Sequence, residues 1–423
     1  MAKIIVAAPP VPGEVLPLLQ LAGALAARGH DITVLTGTAF RSRVVDAGLR
    51  FAPLAGKADY DIGLFAGSSE RTALAAGPDQ LNFDWIHLFA NPMPDEHRAL
   101  QDLLEQDPDQ YLICNLLFLG ALPVKLGAAG RSPLRWIAVS VVGIALSSDD
   151  STFFGPAPVG PGEDQTAANR AANAQFGAAF QPTQDRLNHL LSAMGATEEF
   201  LNFSDRLYTT PDQTAILSVP GFEFARRDLP ANVHLVGVLP AESDDEWQPP
   251  DWWPELDGAR PVVVVTQGTL ANHDLSHLVE PTLAGLADMD VTVVAALGRD
   301  PGAISVPLPA NSRVAGFIPF RALLPKADLL ITNGGASGTQ HALAAGVPAV
   351  VAGATEDKPA VAARIAYHGL GINLGTATPT AQAVAEATEV LLADEKTREN
   401  VARLAKIYAE HDPVAEIEHL ALG

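Results

Sequence analysis

The chain reads as an α/β protein built from two doubly wound domains that face each other across a cleft. Three observations predict this. At 423 residues it exceeds what one hydrophobic core ordinarily organises. Short apolar runs alternate with helix-period segments along most of its length, the pattern of parallel strands joined by crossover helices. An aperiodic stretch at 239–258, with four prolines and three tryptophans, divides that alternation in two. The expected organisation is an N-terminal domain over 1–238, a linker over 239–258 and a C-terminal domain over 259–423.

The opening residues form a clear βαβ unit. Lys3 to Ala8 is a buried strand and Pro9 to Gly13 a turn. Leu18, Leu19, Leu21, Ala22, Leu25 and Ala26 then recur at helical spacing, and Gly29 ends the helix. Pro17 falls in the first turn, where a missing N–H costs little. Asp31 to Thr36 is the second strand, and Tyr111 to Leu117 and Leu134 to Val142 are further candidates. Two less regular stretches carry aromatics: Phe65, Phe83, Trp85 and Phe89, with the aliphatic Ile86, within 59–94, and Phe153, Phe154, Phe176 and Phe180 within 147–181. These complete a core or wall an apolar pocket, and the sequence does not choose between the two.

Beyond the linker, Pro261 to Thr266 is a valine-rich strand that leads into Gln267-Gly268-Thr269. Val291 to Leu297, Val314 to Phe317, Leu329 to Thr332 and Ala349 to Val351 supply more strands. A long helical stretch over about 380–422 reaches far enough to cross back to the first domain.

Composition narrows the function. A net charge of −22 offers no basic background for nucleic acid or an anionic membrane surface, so any phosphate site must be built locally. The single cysteine, Cys114, lies in an apolar run, so no disulfide framework is possible and a buried thiol is expected. No apolar run reaches the roughly 18 residues of a membrane span, and no signal peptide is legible; a cytoplasmic protein is expected. His87, His97, His273 and His341 show no metal-type spacing, and no metal is expected. His273 is an exposed loop residue or a phosphate neighbour.

The most informative segment is Thr332-Asn333-Gly334-Gly335-Ala336-Ser337-Gly338-Thr339, followed by Gly346-Val347-Pro348 and Glu356-Asp357-Lys358. It reads as strand, glycine turn, helix. Backbone N–H groups at such a helix start favour an anion, and glycines let a phosphate approach. Ser337 and Thr339 would add hydroxyl donors. The acidic pair suits sugar hydroxyls, and phosphate beside sugar points to a nucleotide-sugar. A glycine turn made only for helix–strand packing is the plainer alternative.

In this order the motifs resemble the family 1 glycosyltransferases of GT-B fold, particularly bacterial macrolide and natural-product members. The resemblance includes the Pro-Gly turn before Glu14, Gly29-His30, Gly268-Thr269, Phe317-Ile318-Pro319 and Leu323-Leu324-Pro325 with Ala327-Asp328. It continues through the glycine segment, Gly346-Val347-Pro348 and Glu356-Asp357-Lys358. It implies two Rossmann-like domains and an inverting, usually metal-independent transfer from a UDP- or dTDP-sugar to an apolar small molecule. No resident cofactor is implied beyond that donor substrate. Phe317 would stack on the nucleobase and the Ile318 backbone would read its edge. Gly268, Thr269 and the turn Asn333, Gly335, Ala336, Ser337, Gly338, Thr339 would hold the diphosphate. Glu356 and Asp357 would meet the sugar, and Lys358 stands where glutamine is more usual.

Three departures stand out, the mildest being Asn333, where the family's glycine segment often opens with a histidine that touches the diphosphate. The family's catalytic histidine position is Glu14, and the aspartate that orients that histidine corresponds to Asn115. These last two changes look coupled, because a carboxylate supports an imidazolium but would repel a second carboxylate. Glu14 is read as the catalytic base or as a plain acidic residue at a helix start. The helix dipole is expected to depress its pKa, leaving a base roughly two units weaker than histidine. Such a base suits an acidic phenol, an electron-rich aromatic carbon, water, or direct attack on an anomeric carbon. The rivals are therefore a glycoside-hydrolysing enzyme on the same scaffold and a binding protein with a retired site. The linker is expected to act as a hinge for domain closure.

Overall fold

Seven strands form the first sheet of the computed structural model: β1 (Lys3–Ala7), β2 (Asp31–Thr36), β3 (Arg50–Pro53), β4 (Tyr111–Asn115), β5 (Trp136–Ser140), β6 (Gln213–Ile216) and β7 (Val233–Leu235). Six form the second: β8 (Val262–Thr266), β9 (Thr292–Ala296), β10 (Ser312–Ala315), β11 (Leu329–Thr332), β12 (Ala349–Val351) and β13 (Gly371–Asn373). The residues described are 1–75, 77–241, 247–258, 260–268, 272 and 274–423. Every strand pair is parallel. Helices cover both faces, so the central strands are buried throughout and read as unbroken apolar runs such as Val262-Val263-Val264-Val265.

The sheets share one plan. Their orders are β3-β2-β1-β4-β5-β6-β7 and β10-β9-β8-β11-β12-β13. Each winds outward from its centre and then returns to continue on the other side. The reversal falls between β1 and β4 in the first sheet and between β8 and β11 in the second. Loops leaving the carboxyl ends of such neighbours diverge and open a crevice. Both halves of the site lie at these two places.

The structure corrects several sequence expectations. β3, β6, β7 and β13 went unrecognised, and three of these are half-exposed edge strands of three or four residues. The run 314–317 ends as a strand at Ala315, which leaves Phe317 in the loop beyond β10. The stretch 147–181, taken as irregular, contains the helix Gln165–Ala179, started by Asp164, whose side chain accepts from the Thr166 and Ala167 amides. The single long helix expected over 380–422 is three: Ala381–Ala393, Glu395–Ala409 and Pro413–Leu422. Asp394 and Asp412 cap the second and third, so each break is written in a capping side chain.

Two exchanges of packing join the halves. Val414, Ile417 and Ala421 of the last helix share a buried cluster with Val15, Leu18, Leu21, Ile113 and Val139. Glu418 accepts from Arg28 Nη1 at 2.6 Å and from His30 Nε2 at 2.7 Å. In the other direction, Val219 and Phe222 enter a cluster with Leu343, Val361, Ile365 and Leu404. In the linker, Trp247, Trp252 and Trp253 lie against Ile318, Leu323 and Leu324, which pins its second half to the second sheet. Residues 242–246 of that linker lie outside the described ones. Cys114 is buried and accepts from Trp136 Nε1 at 3.0 Å. Among the described residues, no helix is long and apolar enough to cross a membrane.

Candidate active site

The first half of the site is one hydrogen bond at the first sheet's switch point. Glu14 sits in the opening turn of the helix Pro12–Ala27, which follows β1, and its amide bonds to Val11 O at 2.9 Å. Asn115 is the last residue of β4 and is fully buried. Its Nδ2 donates to Glu14 Oε2 at 2.5 Å, while its Oδ1 accepts from the Leu117 amide at 2.8 Å. The Leu117 N–H fixes which end of the amide is oxygen, so the end facing Glu14 must be the donor. Asn115 thus holds the carboxylate in place and cannot take its proton.

Burial decides the charge state of Glu14. The residue is half-buried. Loss of water around its carboxylate pushes the pKa up to about 7, against the lowering by Asn115, and the nearby charge of Asp357 pushes the same way. The sequence expectation of a depressed pKa is overturned: desolvation outweighs the lowering by the Asn115 hydrogen bond. A carboxylate at that value is close to histidine in base strength and is half-ionised near neutrality.

The second half of the site mirrors the first. Thr266 ends β8 and Thr332 ends β11, and Asn333 Nδ2 donates to Gln267 O at 2.5 Å across the gap between them. Gly334 has φ +88°, and a Cβ there would stand 2.6 Å from Val351 Cγ1, so both conformation and space require glycine. The helix Ala336–Ala344 then begins at Gly335 with no side chain capping it, which leaves its first amides open to a ligand. Gly268 is described, with φ +72°, whereas Thr269 and His273 lie outside the described residues.

The expected site residues divide by exposure. Ser337 is exposed and Gly335 and Gly338 are partly so. Ala336 is nearly covered, and Thr339 is fully buried with its hydroxyl unpartnered. The hydroxyl expected from Thr339 is therefore withdrawn into the core, and Ser337 is the exposed one of the pair. Phe317 is 53 % exposed just past β10, while Ile318 beside it is buried. That suits an open ring face and a backbone edge. Glu356 is exposed with φ +58°, an uncommon conformation for a side-chain-bearing residue, and it pairs with the buried Lys358 ammonium. Asp357 stands just before the helix Lys358–Tyr367 without a side-chain capping bond, and burial raises its pKa, with Lys358 acting against the rise. The charge of Asp357 raises the Glu14 pKa, so the loop before the helix Lys358–Tyr367 lies within electrostatic reach of the Glu14 carboxylate.

Three residues near this centre escaped the sequence reading. Arg71 makes a two-pronged pair with Asp84 at 2.7 and 2.9 Å and lies within electrostatic reach of Glu356. The Tyr60 hydroxyl is buried without a partner; that burial raises its pKa, and the charges of Glu96 and Glu14 add to the rise. Glu96 is fully buried on the helix Met93–Gln106, where it stands with Met93, Leu100 and Leu104 on the apolar face. A carboxylate at that position of the helical period was the available signal. Its Oε2 accepts from Leu119 N at 2.8 Å, its Oε1 has no partner, and burial raises its pKa to about 8.

Glu96 yields a stability prediction. Its folded pKa lies above its ordinary value of 4.5, so the folded state holds this proton more tightly than the unfolded one. The stabilisation is complete below about pH 4.5 and is lost as the pH rises through about 8. Glu96→Gln keeps an acceptor for Leu119 and removes the titration. Thermal melts should show the variant and wild type alike at acid pH, with the variant melting several degrees higher above pH 8; equal melting across the range would refute the assignment.

Part of the aromatic stretches completes the core of the first sheet's half. Phe180 and Phe203 are buried in the first domain's core, with Trp85, Phe89 and Phe176 packed against it. Phe65, Phe83 and His87 form a separate stack with centroids 5.8 and 4.2 Å apart. Phe154 is 50 % exposed beside Phe153 and Phe176. Among the described residues no group of three or more His, Cys, Asp or Glu side chains could hold a metal ion.

Comparison with known proteins gives one answer throughout. Residues 280–420 match the family described as the erythromycin biosynthesis protein CIII-like C-terminal domain. The chain is 36 % identical to UDP-glycosyltransferase 2 of Phaeomoniella chlamydospora, over 98 % of this chain and 94 % of that one. It is 34 % identical to 4'-demethylrebeccamycin synthase of Lentzea aerocolonigenes, over 100 % and 99 %. A calicheamicin glycosyltransferase structure superposes with a TM-score of 0.73 at 23 % identity, over 99 % of this chain and 98 % of that one. A Streptomyces sp. SF2575 glycosyltransferase complexed with thymidine diphosphate gives 0.68 at 21 %, over 99 % and 100 %. These structures share the paired switch-point sheets, and the relatives share the sequence nearly end to end: the chain belongs to the family 1 glycosyltransferases of GT-B fold.

Proposed function

We propose that this enzyme transfers a sugar, with inversion, from a UDP- or dTDP-sugar to a hydrophobic small molecule, and that Glu14 is its base. The observation that carries this reading is the Asn115–Glu14 hydrogen bond at the cleft, with the carboxylate pKa raised to about 7. Glu14 takes the acceptor's proton as its oxygen attacks the anomeric carbon. The bond to the diphosphate breaks, and charge grows on the leaving oxygen beside the amides of the helix Ala336–Ala344. Asp357 and Glu356 accept from sugar hydroxyls, and Phe317 offers its exposed ring to the base. The domains divide as 1–238 and 259–423, the first taking the acceptor and the second the donor. Names among the relatives favour uridine, and a thymidine diphosphate complex among the structural neighbours favours the alternative.

A second reading keeps the residues and changes the chemistry. Asp357 raises the pKa of Glu14, as a second carboxylate near a glycosidase acid would. Mass spectrometry separates the readings. Incubation with UDP- and dTDP-sugars and a panel of phenolic and polyketide acceptors should give acceptor plus sugar, with free nucleoside diphosphate as co-product. Cleavage of aryl glycosides without any nucleotide, and no transfer, would support the hydrolase instead.

A further inference from the structure

A buried cation joins the two halves of this cleft. Arg364 lies on the helix Lys358–Tyr367, two turns beyond Asp357, and is 1 % exposed. Its Nε and Nη2 donate to Glu223 Oε2 at 3.1 and 2.8 Å. Nη1 donates to Phe153 O at 3.1 Å and to Ala360 O at 3.0 Å, and Nη2 to Ile144 O at 3.3 Å. The guanidinium lies over the rings of Phe224 and Phe153, at 4.7 and 5.6 Å. Glu223 also accepts from the Ile144 amide at 3.3 Å and from Ser218 Oγ at 3.2 Å. Every partner except Ala360 precedes the linker at 239–258.

Such a pair is poorly explained by stability alone. Removing two charges from water costs several kcal/mol, and apolar replacements of buried pairs are often neutral or stabilising. What the arginine does supply is geometry. One rigid fork is bonded to the loop that bears Phe153 and to the helix whose first turn bears Asp357 and Lys358. Gly143 leaves room for it: a Cβ there would stand 2.6 Å from Nη2.

We propose that Arg364 is a positioning residue that fixes the Asp357–Lys358 helix start against the 143–153 loop, and so sets the separation of donor sugar and acceptor before Glu14. This rests on the reading of Glu14 as base. The Gly268, Asn333 and Ser337 region lies on other elements, so nucleotide affinity should not depend on the fork. Misplacement of reacting groups by about 1 Å costs on the order of 100-fold in rate.

The test uses full-length protein and two variants: the double change Arg364→Met with Glu223→Leu, and Gly143→Ala, which displaces the guanidinium without removing a charge. Melting temperature, UDP and dTDP affinity by calorimetry, and kcat and KM for transfer are measured on each. The expected result is near-wild-type melting and nucleotide affinity with kcat down by about 10- to 100-fold. A folded variant of either kind with kcat within about twofold of wild type would overturn the proposal, as would a loss of nucleotide affinity in step with kcat. Gly143→Ala stands as the arbiter should the double variant not fold. Failure of the Glu14 reading would show separately, as undiminished transfer in Glu14→Gln.

Discussion

Glu14→Gln should lower kcat for sugar transfer by about 100- to 10,000-fold, the range over which a positioned base ordinarily contributes. The amide preserves the volume of the carboxylate and can still accept from Asn115 Nδ2, so the helix start and β4 should be undisturbed. Removing a charge whose pKa is raised by burial should, if anything, raise the melting temperature above pH 7. Affinity for the nucleoside diphosphate should be unchanged, because the amides of the glycine turn lie in the other sheet's crevice. Calorimetry and single-turnover transfer, run on the same preparation, separate these effects. Nucleotide affinity lost together with rate would instead indicate a structural role for the residue.

The second large effect concerns the pairing of Glu14 with Asn115. Asn115→Asp keeps an acceptor for the Leu117 amide but sets a carboxylate where a donor now stands 2.5 Å from Glu14. Two carboxylates at that separation share one proton, and the base is silenced at neutral pH. Glu14→His alone gives an imidazole whose N–H faces an amide donor, with nothing to stabilise its charged form. Each single variant should therefore fall at least about tenfold in kcat, whereas the double variant should recover to well above both. The couple would then exceed 1.4 kcal/mol, equivalent to about tenfold. Strict additivity of the two losses would show that the residues act independently.

Much of this site was written in the sequence because its chemistry is local. The Asn333–Thr339 turn sits between a buried strand and a helix, and Glu14 follows β1 by a short turn. Spacing along the chain therefore nearly fixes their positions in space. The switch-point topology adds the pairing of Glu14 with Asn115, which are 101 residues apart. What sequence could not supply was environment. The place of Glu14 at a helix start is visible in the residue order, but the burial that raises its pKa is not. Thr339 looked like a hydroxyl donor from its place in the motif, and packing turned it inward. Arg364 and Glu223 lie on ordinary-looking segments 141 residues apart and become legible only when the halves meet. The short strands β3, β7 and β13 were missed because edge strands carry little of the apolar pattern that marks a buried one.

The most direct test of the account is the pH dependence of kcat/KM for an alcohol acceptor that does not itself ionise, in wild type and in Glu14→Gln. A base acts only when deprotonated, so the wild-type profile should climb with pH along an acid limb with its midpoint near 7, the raised pKa of Glu14. The residual activity of Glu14→Gln should lack that limb. A wild-type midpoint between about 4 and 5, where an ordinary glutamate titrates, or the same limb surviving in the variant, would contradict Glu14 as the base.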